Sequence, residues 1–392
     1  MNTVLIKTGD NVVVAVSQIR AWESFVAAGA EITAINDIPM GHKIAIKDIH
    51  EGSGVIKYGY PIGHAISEIK AGMHVHTHNI KTGLLGEIKY NYEPKLTPPK
   101  PMPAGEFMGY RRENGKVGIR NEIWVIPTVG CVNSIGTIIA EKSQCYVKGG
   151  IDGIYCFTHP YGCSQLGQDH ENTKRALAGL INHPNAGAVL VLGLGCENNG
   201  IKGLQDMLGF GDTGRVKFLV CQDVEDEIET ALSLIKELAQ YASGFSRVPV
   251  KMSELIVGLK CGGSDGFSGI TANPLVGIFS DRVVAEGGTA ILTEVPEMFG
   301  AETILMDRCL NKNIFDKTVE MINGFKEYFI SHKQPVYENP SPGNKDGGIT
   351  TLEDKSLGCI QKAGHATVTD ILNYGESSEI KGLNLLNSPG ND

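Results

Sequence analysis

The sequence predicts an α/β protein: a small β-rich N-terminal domain, a linker, and then α/β domains around a parallel sheet. Three observations carry this. Residues 1–92 hold short β-prone runs ("NVVVAV", "HKIAIKDI", "GVIKYGYPIGHAI") separated by glycine and turn residues. Residues 93–107, "EPKLTPPKPMPAGEF", contain five prolines, which bar a helix interior or a central strand and mark an extended linker. From residue 108 apolar strands alternate with helical patterns, as in a sheet with helices on its faces. The predicted division is 1–92, linker 93–107, central domain 108–250 and C-terminal domain 251–392.

Within the first segment, only "SQIRAWESFVAAG" shows a helical period. "AGAVLVLGLGCEN" reads as a buried strand running into a glycine loop, and "VKFLVCQDVEDEIETALSLIKELAQYA" as a strand followed by a helix. Ile228, Ala231, Leu232, Ile235 and Leu238 form that helix's apolar face. "ELIVGLKCGGSDGFSG" and "GGTAILTEVPEMFG" again end strands in loops, where ligands of parallel sheets bind.

Composition narrows the function. A net charge of −9 with no basic tract argues against nucleic acid and anionic membrane as partners. No apolar run reaches membrane-spanning length and no secretory signal is visible. The nine cysteines, odd in number and scattered, favour reduced thiols and a cytoplasmic setting. The glycine loops spell neither GxxxxGK[ST] nor GxGxxG, so no nucleotide is expected, and there is no GxSxG for serine hydrolysis.

Two groups of residues could carry chemistry. "HVHTHN" places His74, His76 and His78 on alternate positions, one face of a strand. The outer two would lie roughly 13 Å apart on a straight strand, so one ion could take two of them but not three. A solvated strand is the competing reading. His42, Lys43, Tyr60, His64, His74 and Asn79 offer cations and donors for a carboxylate and hydroxyls. The second group is thiols in glycine-flanked settings: Cys131, Cys163, Cys196, Cys261 and Cys359. Small cysteines packed in tight turns explain any one of them; the set points to thiolates converging on a metal or a cluster. Carboxylates and imidazoles lie nearby, and such a mixture suits a transition metal. The expected ligands are Cys163, Cys196, Cys261, Glu197 and Asp265. Glu302 and Asp307 read as a solvated helix start, with Glu294 at the end of an apolar strand. Histidine suits proton transfer near neutral pH, making His76, His159 and His170 the candidates for acid and base.

Together, "MGHKIAIKDI", "VIKYGYPIGHA", "HVHTHN", "NGKVGIRNEIWVIPTVGCVN", "THPYGCSQLGQDHENT", "CGGSDGFSGITANP" and "YENPSPGNKDGGITTLEDKSLGCIQKAG" resemble the UxaA family of sugar-acid dehydratases over essentially the whole chain. The resemblance implies an N-terminal β-clip (SAF) domain and a Rossmann-like last domain. It implies loss of water from D-altronate to give 2-dehydro-3-deoxy-D-gluconate in hexuronate catabolism, with galactarate dehydration or sulfolactate desulfonation as alternatives. It also implies Fe2+ or Mn2+ under reducing conditions, neither nucleotide nor pyridoxal phosphate, and a homodimer. A sugar-acid-binding module without turnover is the non-enzymatic reading of residues 1–92. Because the chain stops directly in "SPGND", the parallel sheet is expected to be C-terminally incomplete.

Overall fold

The computed structural model describes residues 2–84 and 89–388. The expectation drawn from the chain's end rests on residues 389–392, which lie outside the described residues. The chain forms two compact units: residues 1–103 with 256–373 and 378–392, and residues 104–255 with 374–377. The first and last segments therefore share one unit although the central segment separates them in sequence.

In the first unit the N-terminal segment is antiparallel. Strands Thr3–Val4, Val12–Ala15, Lys43–Ala45 and His74–Val75 form one sheet in that order, and Gly54–Lys57, Tyr60–Ala65 and Ile80–Lys81 form another. The Tyr58–Gly59 hairpin turn has positive φ at both central residues, 62° and 82°, the combination whose twist matches the flanking strands. "SQIRAWESFVAAG" is not helical. Ser24–Ala27 is a strand of alternating burial, turned back by Ala28 and Gly29, both at positive φ, onto Ala30–Thr33. The apolar period there matched a helix by coincidence, and two-residue turn chemistry overrode it.

The C-terminal segment of this unit holds a four-stranded parallel sheet, ordered Ile256–Leu259, Thr289–Leu292, Gly382–Leu386, Val368–Leu372. One apolar cluster runs from Val12, Val55 and Ile62 of the N-terminal segment to Leu292, Phe299, Leu352 and Leu357. Burial of this kind is worth about 1.5–3 kcal/mol per large side chain, which fixes the two segments to one another. Helix Leu352–Cys359 lies inside that core with all eight residues buried. Its start is capped by the Thr351 hydroxyl, which accepts from the Asp354 amide. A fully buried helix carrying Glu353, Asp354 and Lys355 must pair each charge, and those pairs build the candidate site.

In the second unit a parallel sheet runs Gly153–Cys156, Glu122–Pro127, Ala186–Gly193, Val216–Val220, flanked by helices. Ala186–Gly193 is buried throughout, as expected of a strand covered on both faces. Helix Glu227–Ala242 buries Ala231, Ile235 and Leu238 and leaves Ile228 and Leu232 half-buried. Asp226 caps it by accepting from the Glu229 amide. Among the described residues no helix is long and apolar enough to cross a membrane.

Candidate active site

The histidines converge because of strand register. Lys43 pairs with Val75 and Ile44 with His74 in an antiparallel ladder. Continuing that register one residue past the strand ends faces His42 toward His76, and their ring centroids lie 4.8 Å apart. Strand His74–Val75 ends there, so the chain curls and His76 folds back toward His74. One nitrogen from each of His42, His74 and His76 lies within 4.8 Å of the others. His78 stays exposed on the turn, its ring centroid 5.3 Å from that of His74. The third member is thus His42, the residue just before the neighbouring strand Lys43–Ala45.

Surrounding bonds fix the rings. Nε2 of His42 lies 3.0 Å from the Asp346 carbonyl, a partner that can only accept, so Nε2 carries the proton and Nδ1 faces His74 Nε2 at 3.0 Å. The Asn79 side chain accepts from the His76 amide and donates to the His74 carbonyl, clamping the turn. Burial, followed by the crowding of the neighbouring imidazoles for His74 and by Lys43 for His76, pushes His74 down to about 3 and His76 to about 4; burial also lowers His42. All three are neutral imidazoles near pH 7, the ligand form. His76 Nδ1 is buried with no hydrogen-bond partner among the described residues.

Beside the imidazoles is a buried ionic node. Lys43 Nζ donates to Asp354 Oδ2 at 2.8 Å and to the Gly348 carbonyl, and Lys57 Nζ donates to Asp354 Oδ1 at 2.9 Å. Two ammonium groups on one carboxylate leave a net positive charge in the core. Burial pushes Lys43 down to about 8, with Asp354 opposing and the like charge of Lys57 adding. Burial also lowers Lys57, but Asp354 outweighs it and holds that ammonium above its ordinary range. A recess lined by Lys57, Tyr58, Ser264, Asp354, Lys355 and Cys359 opens next to this node.

The other expected site residues are placed as follows. Lys43 is fully buried and committed to Asp354 and Gly348, so it sets local charge and does not reach out to hydroxyls. Asn79 is spent on the backbone of the histidine turn. His64 is half-buried and Tyr60 is 47% exposed, both on strand Tyr60–Ala65. The Asp265 carboxylate caps its own loop, Oδ1 accepting from the Phe267 and Ser268 amides and the Ser268 hydroxyl. Cys261 meets Cys359 and Glu297, and the ligand atoms of the three lie within 4.8 Å of one another. Cys359 is no loop thiol but ends the buried helix Leu352–Cys359. Glu302 is not a solvated helix start: it is 2% exposed and binds Lys326 and Tyr90, because helix Lys312–Ser331 brings a buried ammonium against it.

In the second unit, Cys163 and Cys196 are exposed in adjoining loops, tied by the Asn198 amide donating to the Cys163 carbonyl at 3.0 Å. Glu197 is not a free ligand. Its oxygens accept from the Thr128 hydroxyl and from the Leu194 and Gly195 amides, so it braces its own loop. His159 has both ring nitrogens engaged with backbone, Nε2 at 2.8 Å from the Pro127 carbonyl and Nδ1 accepting from the Tyr161 amide, which makes it a loop brace and not an available acid or base. His170 lies on helix Gly167–Ile181, its Nε2 buried without a partner among the described residues. Sequence reasoning missed Asp354, Lys57 and Glu297 as site members. Lys57 and Glu297 carry one signal, a charge inside an otherwise apolar stretch; Asp354 carries none, since it lies in a polar run.

Replacing Asn79 by alanine frees the turn that aims His74 and His76. If the cluster holds a divalent cation, its affinity is expected to fall about 10–100-fold, as for other groups that orient ligands. Competition titration with a chromophoric chelator measures it; unchanged affinity would show that the turn holds itself.

Three family descriptions match consecutive segments. Residues 1–83 match the altronate/galactarate dehydratase SAF domain, 109–243 the D-galactarate dehydratase/altronate hydrolase second domain, and 252–392 the D-galactarate/altronate dehydratase C-terminal domain. The chain is 55% identical to the altronate dehydratase of Bacillus subtilis, the match covering 98% of this chain and 78% of that protein. It is 52% identical to the altronate dehydratase of Escherichia coli, covering 100% and 80%. Identity to the Escherichia coli galactarate dehydratase (L-threo-forming) is 31%, covering 91% and 72%. On segment order, length covered and identity, the chain belongs to the altronate/galactarate dehydratase family, with an N-terminal SAF domain.

Proposed function

We infer that this chain is a hydro-lyase that converts D-altronate to 2-dehydro-3-deoxy-D-gluconate. The observation that carries the reading is the contrast in identity: 55% and 52% to two altronate dehydratases against 31% to a galactarate dehydratase. The chemistry needs three things: relief of the charge that builds on the carboxylate when the C2 proton leaves, removal of that proton, and protonation of the departing C3 hydroxyl. The enol formed becomes the 2-keto acid unaided.

His42, His74 and His76 fit a divalent iron or manganese ion. They are three neutral imidazoles with converging nitrogens, and His76 Nδ1 is buried without a partner among the described residues. Bound there, such an ion supplies Lewis acidity toward a carboxylate. Lys43 and Lys57, with one carboxylate between them, add net positive charge in a water-poor setting, which favours an anionic substrate over a neutral sugar. Asn79 holds two of the imidazoles in place. Exposed Tyr60 and half-buried His64 are proposed to meet substrate hydroxyls.

Nine free thiols support a reducing, cytoplasmic setting, and the resemblance supports a homodimer that light scattering would test. The all-parallel sheet of the C-terminal segment supports a Rossmann-like reading of it.

Purified protein loaded anaerobically with Fe2+ is expected to turn altronate into a 2-keto-3-deoxy acid, detected colorimetrically. Turnover of galactarate without altronate, or sulfite release from sulfolactate, would replace this reading.

A further inference from the structure

Cys261, Glu297 and Cys359 come from three places in the chain. Cys261 follows strand Ile256–Leu259, Glu297 lies in the turn after strand Thr289–Leu292, and Cys359 ends helix Leu352–Cys359. One ligand atom from each lies within 4.8 Å of the other two. The Cys359 thiol donates to Glu297 Oε2 at 2.9 Å, and Cys261 Sγ lies 3.0 Å from the Ser264 hydroxyl. A cysteine packed only for volume would face apolar atoms. Here both thiols face oxygen and sulfur. Around them, Lys355 Nζ holds Glu297 Oε1 at 2.8 Å, and Lys362 Nζ holds Glu294 Oε2 at 2.7 Å. Glu294, 1% exposed, keeps Oε1 buried with no hydrogen-bond partner among the described residues. Glu294, Glu297, Cys359 and Lys362 line one recess.

We propose that Cys261, Cys359 and Glu297 form a second metal site, selective for a thiophilic divalent cation such as zinc or ferrous iron and separate in its ligands from the imidazole cluster. A tetrahedral ion with metal–sulfur bonds of about 2.3 Å places two sulfurs about 3.8 Å apart, within the spacing observed. The charges also close. The two carboxylates of Glu294 and Glu297 balance the two ammonium groups of Lys355 and Lys362, and M2+ with two thiolates is itself neutral, so the loaded site carries no net charge in the core. Glu297 Oε2 supplies the third bond while Lys355 retains Oε1. Three protein ligands leave a fourth position open, the arrangement of a site that can take water or another small donor. The softer donor set distinguishes this site from the all-nitrogen one. The inference does not rest on the dehydration reading.

The test uses the full chain, stripped by chelator under reducing conditions and titrated with Co2+. A sulfur-to-cobalt charge-transfer band is expected. Cys261→Ser and Cys359→Ser should each remove it and weaken Co2+ binding at this site tenfold or more. His76→Ala, Cys163→Ser and Cys196→Ser should keep it. Circular dichroism checks that each variant is folded. If Cys359→Ser does not fold, half-buried Cys261 decides, through Cys261→Ser and through protection of its thiol from iodoacetamide by bound Zn2+. Absence of the band in the parent chain, its loss in Cys163→Ser or Cys196→Ser with retention in Cys261→Ser, or a Cys261–Cys359 disulfide in reduced, folded protein would each overturn the proposal.

Discussion

Asp354→Asn is expected to lower the free energy of unfolding by about 3–5 kcal/mol, the usual cost of removing one partner from a buried ionic group. The carboxylate is fully buried and accepts from Lys43, Lys57, the Thr350 amide and the Thr350 hydroxyl. An amide of the same shape keeps part of the hydrogen bonding but cannot offset two ammonium charges. Burial by itself would raise the Asp354 carboxyl's pKa; Lys43 and Lys57 outweigh it and hold the group well below the ordinary carboxylate range. A depressed folded-state value means the contribution is fully present above the unfolded value of about 3.9 and is lost as pH falls below it. Denaturant unfolding at pH 7 and pH 3 measures both points. The gap between parent and variant should shrink at the lower pH. A loss under about 1 kcal/mol at pH 7 would mean that Lys43 sheds its proton and relieves the node.

With iron held by the imidazole cluster as proposed, His76→Ala and His74→Ala are expected to reduce altronate turnover more than 100-fold and to lower bound iron in parallel, since removing a ligand exceeds the 10–100-fold effect of removing a group that only orients one. His78→Ala, altered on the same turn but outside the cluster, should keep its iron. Elemental analysis of anaerobically loaded protein, beside the keto-acid assay, separates the outcomes. Full iron content with lost activity in His76→Ala would move that ring from metal holding to proton transfer. Equal losses in all three variants would point to collapse of the turn.

The spacing of "HVHTHN" put His74, His76 and His78 on one face of a strand and led to the expectation that one ion could take two of them. It could not name His42, because the pairing of Lys43 with Val75 is a matter of register, and register depends on which strands meet. Asp354 was illegible for a related reason. In "TTLEDKSLG" the acidic residues look like an ordinary solvated helix start. Only the packing of helix Leu352–Cys359 inside a core shared with Val55 and Ile62 shows that the charge is buried. Glu302 misled in the same way. The "SQIRAWESFVAAG" helix failed because a turn at Ala28–Gly29 outweighed a short apolar period.

By itself the sequence determined the α/β class, the β-rich start, the proline-rich stretch after it, the family through long collinear motifs, and the residue types able to hold a metal. These rest on local preferences and on motifs read along one chain. The tertiary structure alone decided which of those residues meet. It joins residues 1–103 to 256–373, sets Lys43 and Lys57 on Asp354, puts His42 with His74 and His76, and brings Cys261 to Cys359 and Glu297. Such meetings are fixed by burial of apolar surface across large sequence separations. The charged and thiol groups carried into the core must then find partners there, and the partners are chosen by the packing and not by the neighbouring sequence.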